Sequence, residues 1–430
     1  MALTILCLTF VIGLVLGMPV VFAIGLSSIA TVIYEGLPVA VVFQRMTSGM
    51  NVFSLLTIPF FIFTGELMMY GGIAERLIRC AKALVGHVRG GLGMTNVLAC
   101  TMFGGVSGSP VADVSAMGSA MIPLMKREGI DADYAVNTTT YASLVGALMP
   151  TSHNMIIYSL AAGGVVSMGS LIMAGAVPAA ILTVANVLTA YLVAVHRGYA
   201  RGKFPGWHEV MVSSAIAVPG LFIMVIIVGG ILSGVFTAAE AGAIAVAYAL
   251  LLTVLGYRSL SWHNFVKAGA RACKTTGVVL LLVGISTMFG YLLSIYGVAE
   301  MTGEALGKIS DTAWVIFILV DLALFFFGIF LDMAAHILVC TPIFLPIVVH
   351  YGMSPVQFGI IVLLNCTIGL NTPPVGAAFY LGCAIGEVSV DKVVRSIWPF
   401  MLALWITLLI VTLVPETSMF VHDIFMKTPA

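Results

Sequence analysis

GALMPTSHN (Gly146–Asn154) and IGLNTPPVG (Ile368–Gly376) each place proline, hydroxyls and an amide inside a long apolar run. Proline removes a backbone donor and breaks the helix ladder. In lipid the freed backbone groups are costly unless protein encloses them. The surrounding segments, 133–163 and 356–386, are each long enough to cross a bilayer. Their breaks at Pro150 and Pro373 therefore fall near its midplane. A helix broken there offers carbonyl oxygens from one half and N–H groups from the other. The first suit a hard cation and the second a carboxylate.

The rest of the chain agrees. Of its 430 residues, 61% are hydrophobic and 8% charged, whereas a soluble domain carries roughly 25% charged residues. Mean hydropathy is +1.14. This is the composition of an all-α polytopic membrane protein. Net charge is zero, which gives no electrostatic case for nucleic acid. The seven cysteines form no CxxC or Cys/His cluster, so neither disulfides nor structural zinc are expected. The apolar start of the chain lacks a basic region and a small-residue cleavage site, and reads as a retained helix, not a signal peptide.

Spans are expected at 2–34, 51–71, 133–163, 168–195, 212–235, 237–257, 275–296, 356–386 and 396–415, the first divisible near Gly17-Met18-Pro19. Two further blocks, 92–125 and 313–349, carry GGVSGSP (Gly104–Pro110) and GIFLDM (Gly328–Met333) near their middles. If both are re-entrant hairpins and every other segment crosses once from a cytoplasmic start, all but Arg45, Lys308 and Lys427 of the 18 basic residues lie inside. That satisfies the positive-inside rule. It places the N-terminus in the cytoplasm and the C-terminus outside.

The hairpins then enter from opposite faces, as in an inverted repeat. A shift of 223 matches Gly105 with Gly328, Ser109 with Asp332, Pro123 with Pro346, Gly146 with Gly369 and Pro150 with Pro373. The expected fold is two inverted halves with two opposed hairpins and two discontinuous helices. Residues 1–210 carry hairpin 92–127 and broken helix 133–163; residues 211–430 carry hairpin 313–349 and broken helix 356–386. Such repeats mark secondary transporters. Ile73–Gly90 and Gly297–Asp311 read as surface helices framing the hairpins, and Ser261–Lys274 as a third, basic interfacial stretch.

Each break is expected to face its own hairpin tip. One small-cation site would use Ser107, Gly108, Ser109, Gly146, Met149, Pro150 and Asn154. The other would use Gly328, Phe330, Asp332, Gly369, Thr372 and Val375. Substrate would touch Ser109, Asn154, Asp332, Asn371 or Thr372. Neutral oxygen favours sodium over a proton relay; no transition metal and no cofactor are implied. Asp113, Glu66 and Glu240 read as structural, His153 as a hydrogen-bonding strut, and Asp321 is left open between packing and function.

The stretches IPFFIFTGELM (Ile58–Met68), GGIAERLI (Gly71–Ile78), CTMFGGVSGSPVAD (Cys100–Asp113), GIFLDMAAHIL (Gly328–Leu338) and IGLNTPPVG together resemble the large membrane subunit of TRAP transporters, the tripartite ATP-independent periplasmic family. The resemblance implies elevator motion, sodium coupling, a periplasmic substrate-binding protein, a separate small four-helix membrane subunit, and a bacterial inner-membrane location. Pro150–Gly164 looks most like the sialic acid branch; a C4-dicarboxylate or another carboxylate is the alternative cargo.

Other classes fit less well. An intramembrane hydrolase needs nucleophile and base in reach, and adjacent Ser152 and His153 on a helix point about 100° apart. A channel needs a continuous pore, and an ATP-driven pump needs a GxxxxGK[ST] loop that the sequence lacks.

Overall fold

A computed structural model describes residues 1–373 and 375–426. Lys427 and Pro374 lie outside the described residues. These are helical, with no strand among them beyond an isolated bridge between Arg89 and Arg201. Seven helices among the described residues are long and apolar enough to cross a membrane, or up to eight if one bent pair at the C-terminus counts as a span. Val184, Leu188 and Leu192 stand exposed along one helix and Val218, Phe222 and Val225 along the next. Apolar faces of that extent belong against lipid.

The chain opens with α1 (Ala2–Val15) and α2 (Val20–Tyr34), which pack together around a turn at Gly17. A Cβ on Gly13 would lie 3.0 Å from that of Ala23, so the two run antiparallel. The division near Gly17-Met18-Pro19 is therefore real, and the first apolar run is a pair of short helices. Next come α3 (Ala40–Met50) and α4 (Thr57–Tyr70). The polar Gln44, Arg45, Thr47 and Ser48 hid α3 from the sequence reading. Surface helix α5 (Ile73–Val85) buries Ile73, Leu77, Cys80 and Ala81 and leaves Lys82 exposed, as its amphipathic pattern requires.

The first hairpin is α6 (Gly91–Ser107) and α7 (Pro110–Arg127). The broken helix follows as α8 (Ala132–Ser143), continued by a 3₁₀ stretch Leu144–Leu148, and α9 (His153–Ala161). Then α10 (Met168–His196) returns. At its end Arg197 pairs with Asp133 at 2.7 Å, tying α10 to the start of α8. Three helices lead to the second half: α11 (Trp207–Leu232), α12 (Ala238–Leu251) and α13 (Trp262–Ile295). Thr237 and Glu240 form a capping box at the start of α12, so Glu240 is structural as expected. Ser261–Lys274 is no separate interfacial helix. It is the first part of the 34-residue α13, whose exposed Lys267, Arg271 and Lys274 made it look like a surface loop.

The same order then recurs. Short helix α14 (Val298–Gly307) precedes the second hairpin, α15 (Ala313–Phe330) and α16 (Met333–His350). The second broken helix is α17 (Pro355–Leu370) and α18 (Ala377–Gly386). The chain closes with α19 (Val390–Arg395), α20 (Trp398–Leu413) and α21 (Glu416–Met426). The halves exchange elements at the centre: α9 packs on α16 and α18 on α7. Lys126 Nζ donates to the carbonyl of Gly386 at 2.9 Å, capping α18 from the other half.

Candidate functional site

The first hairpin turns at Gly108, whose φ of 63° favours glycine. A Cβ there would also lie 2.3 Å from the carbonyl oxygen of Thr151. One turn back, a Cβ on Gly104 would come within 2.8 Å of Gly146 Cα. The hairpin tip is thus seated backbone to backbone on the break of its own half. Thr151 closes the junction, its hydroxyl reaching the carbonyls of Gly104 and Gly105 at 3.4 and 3.3 Å.

Asp113, in the first turn of α7, folds back over this junction and is wholly buried. The Ser107 hydroxyl donates to its Oδ1, while Oδ2 has no partner. The buried Ser152 hydroxyl also has none. Most buried polar groups are paired, and one left unpaired costs about 1–3 kcal/mol. Two unpaired oxygens stand at this junction beside the carbonyls at the end of α6, and carboxylate, hydroxyl and carbonyl oxygens are the donors that hard cations prefer.

The second junction repeats the plan. A Cβ on Gly369 would sit 2.1 Å from the carbonyl oxygen of Gly328. Asn371 is fully buried, and both its amide atoms lack partners. Thr372 donates to the carbonyl of Ile368 at 2.7 Å. Asp332 begins α16 beside the N–H groups of Ala334 and Ala335, with its side chain accessible. Ser109 holds the matching place before α7, in the same extended conformation. Phe330 and Val375 turn their side chains outward, 41% and 50% exposed.

Between the junctions, Asn154 lies 3.7 Å from the sulfur of Met333, the residue after Asp332. Met149 and Pro150 are half-buried at the first break. A cavity of about 320 Å³ opens beside the first tip, with Ser107, Ser109, Glu66, His153 and Thr275 in its wall. His153 makes no hydrogen bond among the described residues, so it is no strut: it faces this space. Glu66 also faces it, within electrostatic reach of Arg271.

On the sequence Asp113 reads as structural; the structure buries it at the first junction, against Ser107. Its place is set by the turn at Gly108, which brings it onto Ser107. His336 went unnoticed; it is buried behind the second hairpin with Nδ1 3.0 Å from Cys366 Sγ. Asp321 is resolved by its partners. Asn365 donates to one oxygen at 3.1 Å and Thr412 to the other at 2.8 Å, joining α15 to α17 and α20. Asp321→Ala leaves both donors buried and is expected to cost about 1–3 kcal/mol. It should lower the melting temperature in thermal unfolding while the sodium dependence of residual uptake stays unchanged.

Residues 7–417 match the family described as the tripartite ATP-independent periplasmic transporter, DctM component. The chain belongs to the DctM family. Relatives cover it almost end to end. It is 39% identical to the uncharacterized protein YgiK of Salmonella typhimurium, covering 97% of this chain and 96% of that one. It is 34% identical to the sialic acid TRAP transporter large permease SiaM of Vibrio cholerae (95% and 96%). It is 31% identical to the C4-dicarboxylate TRAP transporter large permease DctM of Rhodobacter capsulatus (94% of each). Among solved structures, the YdaH transporter of Alcanivorax borkumensis has the same fold, with a TM-score of 0.57, 14% identity and 86% of each chain covered. This DctM-family chain is therefore a large, multi-pass TRAP transporter permease and not an enzyme.

Proposed function

We propose that this permease couples sodium entry to the import of an organic acid, with sialic acid the favoured cargo and a C4-dicarboxylate the alternative. The observation that carries the reading is the set of unpaired buried polar groups at the two junctions: Asp113 and Ser152 at the first, Asn371 at the second. Ser107, Gly108, Ser109, Gly146, Met149, Pro150 and Asn154, joined by Asp113 and Ser152, would hold one sodium. Gly328, Phe330, Asp332, Gly369, Thr372 and Val375 would frame the other. Ser109, Asn154, Asp332, Asn371 and Thr372 would meet the substrate. The SiaM, DctM and YiaN relatives are named for sialic acid, C4-dicarboxylate and 2,3-diketo-L-gulonate, all carboxylates.

A second cavity, about 340 Å³, borders Ser286, Thr287 and Leu338. Thr275 and Thr287 place the two cavities about 18 Å apart along α13 at 1.5 Å per residue. Spaces on opposite sides of one site suit an elevator mechanism across the bacterial inner membrane, with 1–210 and 211–430 as the halves of the repeat. The basic loops would face the cytoplasm. Because α1 and α2 form an antiparallel pair, the N-terminus then lies on the outer face, reversing the expectation from a single first span; the C-terminus stays outside. Partners would be a periplasmic binding protein and a small four-helix membrane subunit. The relative SiaT of Haemophilus influenzae, of which the chain covers 68%, has room for such a subunit in its extra length.

Reconstitution into liposomes with the small subunit and the binding protein tests this. Uptake should require an inward sodium gradient and added binding protein; uptake without either would indicate a channel. Asp332→Ala should lower uptake about tenfold or more and weaken its sodium dependence, the scale of losing one charged ligand contact. Unchanged sodium activation would remove Asp332 from the site.

A further inference from the structure

We infer that a cavity at the cytoplasmic end of the first half is a binding site for the headgroup of an anionic phospholipid. It measures about 470 Å³ and lies between α5, the start of α6 and the loop after α10. Lys82 and Arg201 line it, both exposed and neither in an ion pair among the described residues. Arg89 stands beside them, its Nε donating to the carbonyl of Tyr199 at 3.2 Å. Glu128, at the rim, is the opposing charge. The walls are fixed. Gly90 N–H donates to the carbonyl of Ala200 at 3.1 Å, and Tyr199 Oη donates to Asp131 at 2.7 Å. Much of the floor is backbone, since Cβ atoms on Gly91 and Gly202 would each fall 2.2 Å from the carbonyl oxygen of Gly86.

Two features favour a lipid over a free anion. Phe204 and Trp207 lie next in the chain, 45% and 73% exposed, with their rings in edge contact at 5.6 Å. Exposed aromatic side chains of this kind sit at headgroup level. The neighbouring α5 is amphipathic, as a helix lying in the interface would be, which would set the cavity mouth at the level of the phosphate groups. Basic pockets on the cytoplasmic side recognise such headgroups, and Glu128 can accept hydrogen bonds from the hydroxyls of a glycerol headgroup. A lipid held here bridges α5 and the first hairpin, so it would bear on the seating of the hairpin.

The inference rests on the cytoplasmic placement proposed above, and the two can fail separately. Labelling of Lys203→Cys in right-side-out vesicles reports the side alone. Lipid binding is read in nanodiscs and by native mass spectrometry of the full chain with phosphatidylglycerol or phosphatidylcholine. Wild type should retain phosphatidylglycerol preferentially. Lys82→Gln with Arg201→Gln should lose about tenfold or more in that affinity, the scale for two surface cations, whereas Lys203→Gln, outside the cavity wall, should keep the preference. An unchanged preference in the double variant overturns the site. Displacement of the lipid by millimolar inorganic phosphate would mark a free-anion pocket and overturn the lipid assignment.

Discussion

Asp113→Asn is expected to cut sodium-driven uptake about a hundredfold while leaving the sodium-free protein at least as stable as wild type. The argument is electrostatic. In the absence of a cation, Asp113 is a fully buried carboxyl group with a single hydrogen bond, from Ser107, and an unpaired Oδ2. An uncompensated buried charge costs several kcal/mol. Asparagine has nearly the same shape and no charge, so it keeps the Ser107 contact and removes that penalty. With sodium present the sign reverses. In the proposed site the cation would pair with the carboxylate and the surrounding carbonyls, and wild type would gain stability that the variant cannot. Thermal unfolding in sodium and in choline buffers separates the effects. Wild type should melt higher in sodium, whereas Asp113→Asn should show little shift and a choline melting point equal to or above that of wild type. Uptake should fall about a hundredfold, the consequence of a loss near 3 kcal/mol. A full sodium-induced shift in the variant would reduce Asp113 to an acceptor for Ser107.

That role was not legible in the sequence, and the reason is geometric. The matched glycines and prolines report contacts within each half: Gly146 against Gly104, Gly369 against Gly328. The hairpins, the breaks and their pairing could therefore be read directly from Gly and Pro at one offset. The offset of 223 aligned Gly105 with Gly328, although it is Gly104 that touches Gly146, so even this reading slips by one residue. Asp113 enters the junction through a turn that only the φ of Gly108 defines. The packing of α9 on α16 and of α18 on α7 joins residues about 180 or more apart with no shared pattern. Asn371 lies within a quoted motif, but its isolation is a property of its buried surroundings. The continuity of α13 was hidden because a basic, exposed face reads alike on a loop helix and on the end of a long span.

Gly369→Ala is expected to be the most damaging single methyl that can be added to the second half. Its Cβ would stand 2.1 Å from the carbonyl oxygen and 2.3 Å from the carbonyl carbon of Gly328. Both obstacles are backbone, so no rotamer change relieves them. Either the tip of the second hairpin lifts off α17 or the broken helix shifts, and in both cases Asn371 leaves its place. Overpacking by one methyl typically costs about 1–3 kcal/mol where side chains can yield; with backbone on both sides the cost should exceed that range. The reverse substitution at the same contact is far milder. A Cβ on Gly328 meets its nearest atom, the carbonyl of Asn365, at 3.3 Å and the His336 ring at 3.4 Å. Gly277, on α13 with nothing within 4 Å, serves as a neutral control. The expected ranking in melting temperature and in uptake is Gly277→Ala equal to wild type, Gly328→Ala slightly lower, and Gly369→Ala without measurable uptake. If Gly328→Ala and Gly369→Ala prove equally mild, the second hairpin does not rest on the broken helix at this contact, and the cation site drawn there loses its geometry.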